Sequence, residues 1–194
     1  MSSHFFAMIS RMKYIERWGL MRNTERENLS EHSLDVALIA HALCVIKNRR
    51  LGGNVNADRA AAVALYHDMS EILTGDLPTP IKYYSEDIRK VYKDIEATAG
   101  RQLCDMLPTD MREDFELLFV PQDKEIEQIV RAADKISALI KCKKELSAGN
   151  SEFAFAEQST RRAIDDMHLP EAEIFLSEFL ESYTLPIDDI TLKY

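Results

Sequence analysis

Residues 58–75 read DRAAAVALYHDMSEILTG, and this stretch decides the fold. Its apolar residues crowd a helical pattern instead of alternating, so it is a helix shielded by other helices and not a strand. His67 and Asp68 stand inside it, with Glu71 one helical turn after His67 on the same face. Thr74-Gly75 ends it. Asp76-Leu77-Pro78-Thr79-Pro80 follows, where two prolines forbid helix and stiffen the backbone.

Outward from this segment, helix follows helix. Upstream, Asn28 is a good N-cap with Glu31 at the N3 position, a variant of the capping box. The helix it opens runs through LDVALIAHALCVIKN to Gly52-Gly53, apolar nearly all round, as expected at the centre of a bundle. Downstream, Ser85-Glu86-Asp87 starts a helix with Ile88, Val91, Tyr92, Ile95, Ala99 and Leu103 on one face. Pro108 and Thr109 break it, and a short helix covers roughly 110–118. A long helix spans about Asp123 to Leu146, with Ile126, Ile129, Val130, Ala133, Ile136 and Ile140 inward. Two more charged helices flank Pro170. With no repeat, low-complexity tract or linker, residues 1–194 read as one all-α domain, a helical bundle.

Composition bounds the function. At 194 residues the chain can bury a substantial core, and 46% apolar with 29% charged residues is ordinary for a globular protein. Six Gly and six Pro are too few for a loop-rich all-β fold. A net charge of −9 argues against a general nucleic-acid surface but not against a small anionic substrate. The start MSSHFFAMISRMKY has no uninterrupted apolar core of a secretory signal, and no uncharged apolar stretch approaches a membrane span. Cys44, Cys104 and Cys142 are odd in number and lie far apart in apolar contexts, which predicts reduced, buried thiols and a cytoplasmic protein.

A His-Asp dipeptide alone is weak. His32, however, stands near the start of one apolar helix and Asp134 in the middle of another. Ionisable groups in such helices are costly to bury unless they are paired or bind a metal. Two imidazoles and two carboxylates from three helices suit a six-coordinate Mn²⁺, Co²⁺, Fe²⁺ or Ni²⁺ with open positions, and not a closed four-cysteine zinc site. On a helix, neighbouring side chains point about 100° apart, so His67 and Asp68 share an ion only at the packed centre of a bundle.

His32, His67-Asp68 and Asp134 resemble the H…HD…D signature of the HD-domain metal phosphohydrolases. Further runs are similar to the bacterial YfbR-type 5′-deoxynucleotidases: Ile15-Glu16-Arg17-Trp18 with Leu20-Met21-Arg22-Asn23, Glu27-Asn28-Leu29-Ser30-Glu31-His32-Ser33-Leu34, Leu73 through Pro80, and Ala148-Gly149-Asn150. The likeness is close over roughly residues 4–155 and loose beyond. It implies hydrolysis of 2′-deoxynucleoside 5′-monophosphates to deoxynucleoside and phosphate, little base preference, and a homodimer. It implies one divalent metal, Co²⁺ or Mn²⁺, held by His32, His67, Asp68 and Asp134. Arg17 matches a residue that orients the phosphate, and Trp18 one that contacts the nucleotide. Glu71 matches the catalytic carboxylate, and Asp76, Leu77, Pro78 and Thr79 the substrate loop. His32, Asp68 and Asp134 then border the substrate as well as the ion.

Plainer readings compete. Either histidine could be a hydrogen-bonded core residue, Trp18 a packing residue, Arg17 a solvated one, and the proline-rich loop a helix stop. His41 and His168 read as structural. A binuclear enzyme of this superfamily needs extra histidines between the HD pair and the last aspartate, and none occurs from Met69 to Ala133. A deoxynucleoside triphosphohydrolase is the nearest rival, though its pocket needs more basic residues for the outer phosphates. A non-catalytic module would have lost ligands that are all present.

Overall fold

The predicted cap at Asn28 is present in full. The Asn28 side chain accepts from the backbone N–H groups of Ser30 (3.0 Å) and Glu31 (3.1 Å), and Glu31 Oε2 accepts in return from the Asn28 N–H. The computed structural model describes residues 2–191 apart from Thr79, Pro80, Lys82, Tyr83 and Pro121. In chain order it contains α1 (Phe5–Ile9), running into a 3₁₀ turn (Ser10–Tyr14), α2 (Leu29–Arg50), α3 (Ala57–Tyr66), α4 (Glu71–Thr74) and α5 (Glu86–Cys104). Then follow α6 (Arg112–Phe119), α7 (Lys124–Ser147), a 3₁₀ turn (Ser151–Phe153), α8 (Ala154–Asp165), α9 (Pro170–Phe179), a 3₁₀ turn (Leu180–Thr184) and α10 (Ile187–Ile190). Among the described residues there is no strand, only an isolated antiparallel bridge between Glu16 and Asn28. The all-α expectation holds.

α2 and α7 form the centre, packed on each other, with α3 against both, α8 on α7 and α9 on α2. Val36, Ala40, Leu43 and Cys44 of α2 meet Ile129, Ala133, Ile136 and Leu139 of α7 in the main core. α2 is long and apolar enough to cross a membrane by composition, but over half of that window is buried inside the protein, as in a core helix. A smaller cluster forms between Phe5, Met69, Leu103 and Leu107, with Phe115 edge-on to Phe5 at 5.1 Å. The three cysteines are free and buried, as expected. Burial pushes their thiols up, to about 11 at Cys44 and Cys104 and about 12 at Cys142.

Three expectations need correction. α2 is not enclosed on every side, because Leu34, Leu38 and Val45 remain exposed along one stripe. On α5, Tyr92, Ala99 and Leu103 are buried, but Ile88, Val91 and Ile95 face outward. The helix carrying the His-Asp pair is also not continuous. α3 stops at Tyr66, and Met69→Tyr66, Glu71→Asp68 and Ile72→Met69 hydrogen bonds close three-residue steps before α4. These i→i−3 bonds tighten the backbone between His67 and Glu71. Met69, fully buried in the small cluster, pins the turn.

Candidate metal centre

His32 comes from the first turns of α2, His67 and Asp68 from the tightened turn after α3, and Asp134 from the middle of α7. Metal-ligating atoms of His32, His67 and Asp68 all lie within 4.8 Å of one another. Asp134 falls outside that group but adjoins it, its Oδ1 3.3 Å from His32 Nε2. Asp68 Oδ2 is 3.1 Å from His67 Nε2 and 3.6 Å from His32 Nε2. The turn thus lets consecutive side chains converge.

Each imidazole has its far nitrogen engaged. His67 Nδ1 lies 2.7 Å from the Ala64 carbonyl, which can only accept, so Nδ1 carries a proton and Nε2 is the nitrogen that faces the cluster, able to lend a lone pair once its own proton is displaced. His32 Nδ1 lies 3.2 Å from Ser137 Oγ and 3.4 Å from Glu27 Oε1. Among the described residues, neither buried Nε2 atom has a hydrogen-bond partner, though each lies at ion-pair distance from a carboxylate. Two orphaned imidazole nitrogens beside two carboxylates are the donor set a divalent ion requires, and the residues fit one.

The charges agree. Burial alone would lower the His67 imidazole, but the negative charges of Asp68 and Asp134 raise it to about 9. Burial would raise Asp68 and Asp134, yet the neighbouring His67 and His32 hold both well below the ordinary carboxylate range. Without an ion the site keeps a proton where a cation fits.

Arg17 closes one side. Its Nε donates to Glu27 Oε1 at 3.0 Å, its Nη1 lies 3.5 Å from Asp68 Oδ2, and its backbone N–H donates to the Glu27 carbonyl at 2.9 Å. Burial disfavours the charged guanidinium, but Asp68, Asp134, Glu27 and Asp76 around it raise its affinity for the proton. Trp18 follows in the left-handed backbone region at φ 57°, its ring tilted on Phe153 with centroids 5.3 Å apart. Asp76 enters from the loop after α4, beyond Gly75 at φ 74°, and is raised by burial against the charge of Arg17. Leu77 and Pro78 continue that loop, half-buried, and Thr79 lies outside the described residues. Glu71 is buried at 3% exposure at the start of α4, outside the three-residue group. Lys135 pairs with Asp134 Oδ2 at 3.2 Å on the outer side.

Sequence reasoning assigned no role to the supports of these residues. The Glu145 carboxylate, buried on α7, accepts from the N–H and hydroxyl of Thr24, the N–H of Glu25, Lys141 Nζ and Asn150 Nδ2. Lys141 Nζ also donates to the Glu25 carbonyl, and Asn150 to the Arg22 carbonyl at 2.7 Å. These bonds hold the chain just after Trp18 against α7. A Lys and a Glu four apart on α7, where both are buried, were the visible signal.

An all-helical bundle with an internal His/Asp cluster of this arrangement is the HD-domain phosphohydrolase fold. An HD-domain phosphohydrolase of Listeria innocua superposes with a TM-score of 0.80 at 23% identity, covering 93% of this chain and 88% of that one. A cyanophage S-2L HD phosphohydrolase, described as bound to dA and one catalytic Zn²⁺, superposes with a TM-score of 0.63 at 22% identity, covering 91% and 96%. Within that class, the YfbR-like 5′-deoxynucleotidase family matches residues 4–183, and the chain belongs to it. Among its relatives, a 5′-deoxynucleotidase of Vibrio vulnificus is 51% identical over 97% of this chain and 98% of its own. One of Photorhabdus laumondii is 49% identical over 98% of both.

Proposed function

We propose that the chain is a metal-dependent 5′-deoxynucleotidase, which removes the 5′-phosphate of 2′-deoxynucleoside 5′-monophosphates. Near-full-length identity to relatives with that activity supports the reaction. The observation that carries the mechanism is the pair of imidazoles whose Nδ1 atoms are engaged and whose Nε2 atoms face Asp68 and Asp134. His32, His67, Asp68 and Asp134 hold one divalent ion; the nitrogen and oxygen set suits Mn²⁺, Co²⁺, Fe²⁺ or Ni²⁺, and the family resemblance favours Mn²⁺ or Co²⁺. When bound, the ion supplies positive charge for phosphate oxygens and lowers the pKa of a water molecule.

The protein does the rest. Arg17, held by Glu27 and Asp68, offers its planar fork to the phosphate and fixes the line of attack. Glu71, buried beside the turn, transfers a proton between the attacking water and the leaving 5′-oxygen. Asp76, Leu77 and Pro78 form the edge against the nucleoside, and the Trp18 ring, backed by Phe153, forms a wall beside the sugar. A monophosphate fits better than a triphosphate. Among the described residues, Arg17 and Lys135 pair with the Asp68 and Asp134 carboxylates, an arrangement that suits one phosphate group.

The enzyme acts in the cytoplasm as a homodimer. Three buried free thiols support the first, and the exposed apolar stripes of α2 and α5 offer surface for the second. Phosphate release from ribo- and deoxyribonucleoside mono- and triphosphates, with Mn²⁺ or Co²⁺ added, tests the reading. Turnover confined to deoxynucleoside monophosphates supports it, and preferential turnover of triphosphates overturns it.

A further inference from the structure

Glu27 stands one residue before the Asn28 cap, half-buried, with one carboxylate oxygen between two partners. Oε1 accepts from Arg17 Nε at 3.0 Å and lies 3.4 Å from His32 Nδ1. The same residue also holds Arg17 through the backbone, its carbonyl accepting the Arg17 N–H beside the Glu16–Asn28 bridge.

Each partner needs this anchor. The other group near His32 Nδ1 is the Ser137 hydroxyl, which can donate or accept and so does not by itself choose the tautomer. An ionised carboxylate can only accept, so Glu27 Oε1, at ion-pair distance, favours the proton on Nδ1 and Nε2 for the cluster, while Ser137 makes the hydrogen bond itself. For Arg17, Glu27 takes the Nε edge and Asp68 the Nη1 end, which fixes the plane of the fork. We infer that Glu27 is a positioning residue shared by the metal half and the phosphate half of the site, so that removing its charge weakens both. The inference rests on the reading above, in which His32 ligates the ion and Arg17 the phosphate.

Glu27→Gln keeps the shape and removes the obligatory acceptor. Mn²⁺ affinity, titrated without phosphate, should weaken about tenfold to a hundredfold. Inorganic phosphate affinity at saturating Mn²⁺ should fall about tenfold, while Glu27→Gln added to Arg17→Ala should lower it little further. Ser137→Ala should change Mn²⁺ affinity less than Glu27→Gln does. Wild-type values for both ligands in the folded variant overturn the proposal, and loss of only one refutes the shared role. If Glu27→Gln does not fold, long-range ¹H–¹⁵N spectra of wild-type protein loaded with Zn²⁺ decide. A downfield His32 Nδ1 proton is expected, and a His32 protonated on Nε2 or lacking that signal overturns the proposal. His32→Ala separates the two levels. If it keeps the metal, the ligand reading fails; if it loses the metal while Glu27→Gln keeps it, only this inference fails.

Discussion

The indole of Trp18 lies on the ring of Phe153 at a centroid distance of 5.3 Å, and Trp18 itself sits at φ 57°. A bulky residue in the left-handed region persists only where its surroundings hold it, so the ring is fixed, not adaptable. Trp18→Ala should therefore narrow the ratio of kcat/KM for dAMP over AMP by about tenfold or more, with some loss on dAMP itself. Phe153→Leu, which removes the backing ring, should move the ratio the same way by less. Equal loss on both nucleotides with an unchanged ratio would shift the search for the sugar wall to Leu77 and Pro78.

Metal should be separable from folding. The main core of α2, α3 and α7 is apolar and extends well beyond the His/Asp cluster. Chelation should abolish hydrolysis while leaving helical circular dichroism intact, and the purified protein should carry about one transition metal per chain. Asp134→Ala should lose that ion on elemental analysis. Retention of the full complement would remove Asp134 from the ligand set.

Metal uptake should depend on pH in a defined direction. The free site raises His67 to about 9, so below that pH the imidazole holds a proton that the ion must displace. Apparent Mn²⁺ affinity should strengthen with pH, by up to about tenfold per unit below pH 9, and binding should release protons to the buffer. Isothermal titration in buffers of different ionisation enthalpy counts those protons. A count of zero at pH 7 would contradict the assignment of His67.

Glu71→Ala should keep metal and nucleotide binding while kcat falls about a hundredfold or more. Loss of metal in this variant would make Glu71 a ligand and Asp76 the next candidate for the base.

Glu145 ties the Trp18 segment to α7 with a pH-dependent clamp. Burial would raise its carboxyl, but hydrogen bonds from Lys141, Asn150 and Thr24 hold it well below the ordinary value of 4.5. A depressed folded pKa gives stability that is complete above that ordinary value and is lost as pH falls through the folded one. Glu145→Gln should lower unfolding free energy at pH 7 by about 3 kcal/mol, since Lys141 is left buried without its counter-charge. Urea melts at pH 7 and at pH 3 should show the deficit shrinking in acid. A constant deficit would mean that shape, not charge, holds the loop.

Most of the helices were legible because their signals are local. Asn28 with Glu31 and Ser85 start helices by acting within one turn, and both accept backbone N–H groups; Asp123, read as the start of the long helix, caps it in the same way. The break after Tyr66 was not legible, since Met69 draws the chain toward Phe5, Leu103 and Leu107, partners remote in sequence. The outward Ile88, Val91 and Ile95 show the converse limit: periodicity finds an apolar face but not what covers it. At the site, the residue types named their own chemistry, and the structure brings His32, His67, Asp68 and Asp134 to one place. Glu27 and Ser137 stayed unassigned because their hydrogen-bond partners lie beyond one helical turn in sequence, and the Lys141–Glu145 spacing alone does not reveal Thr24 and Asn150 as partners.

The three silent thiols turn the protein into its own stopwatch. Cys44 lies in the main core, whereas Cys104 adjoins Leu103 of the small cluster that pins the His-Asp turn. With thiols raised to about 11 or 12 and sealed from water, a labelling reagent meets them only in molecules that have opened. The order in which Cys104 and Cys44 react therefore reports whether the His-Asp turn loosens ahead of the central helices or only when the whole fold gives way.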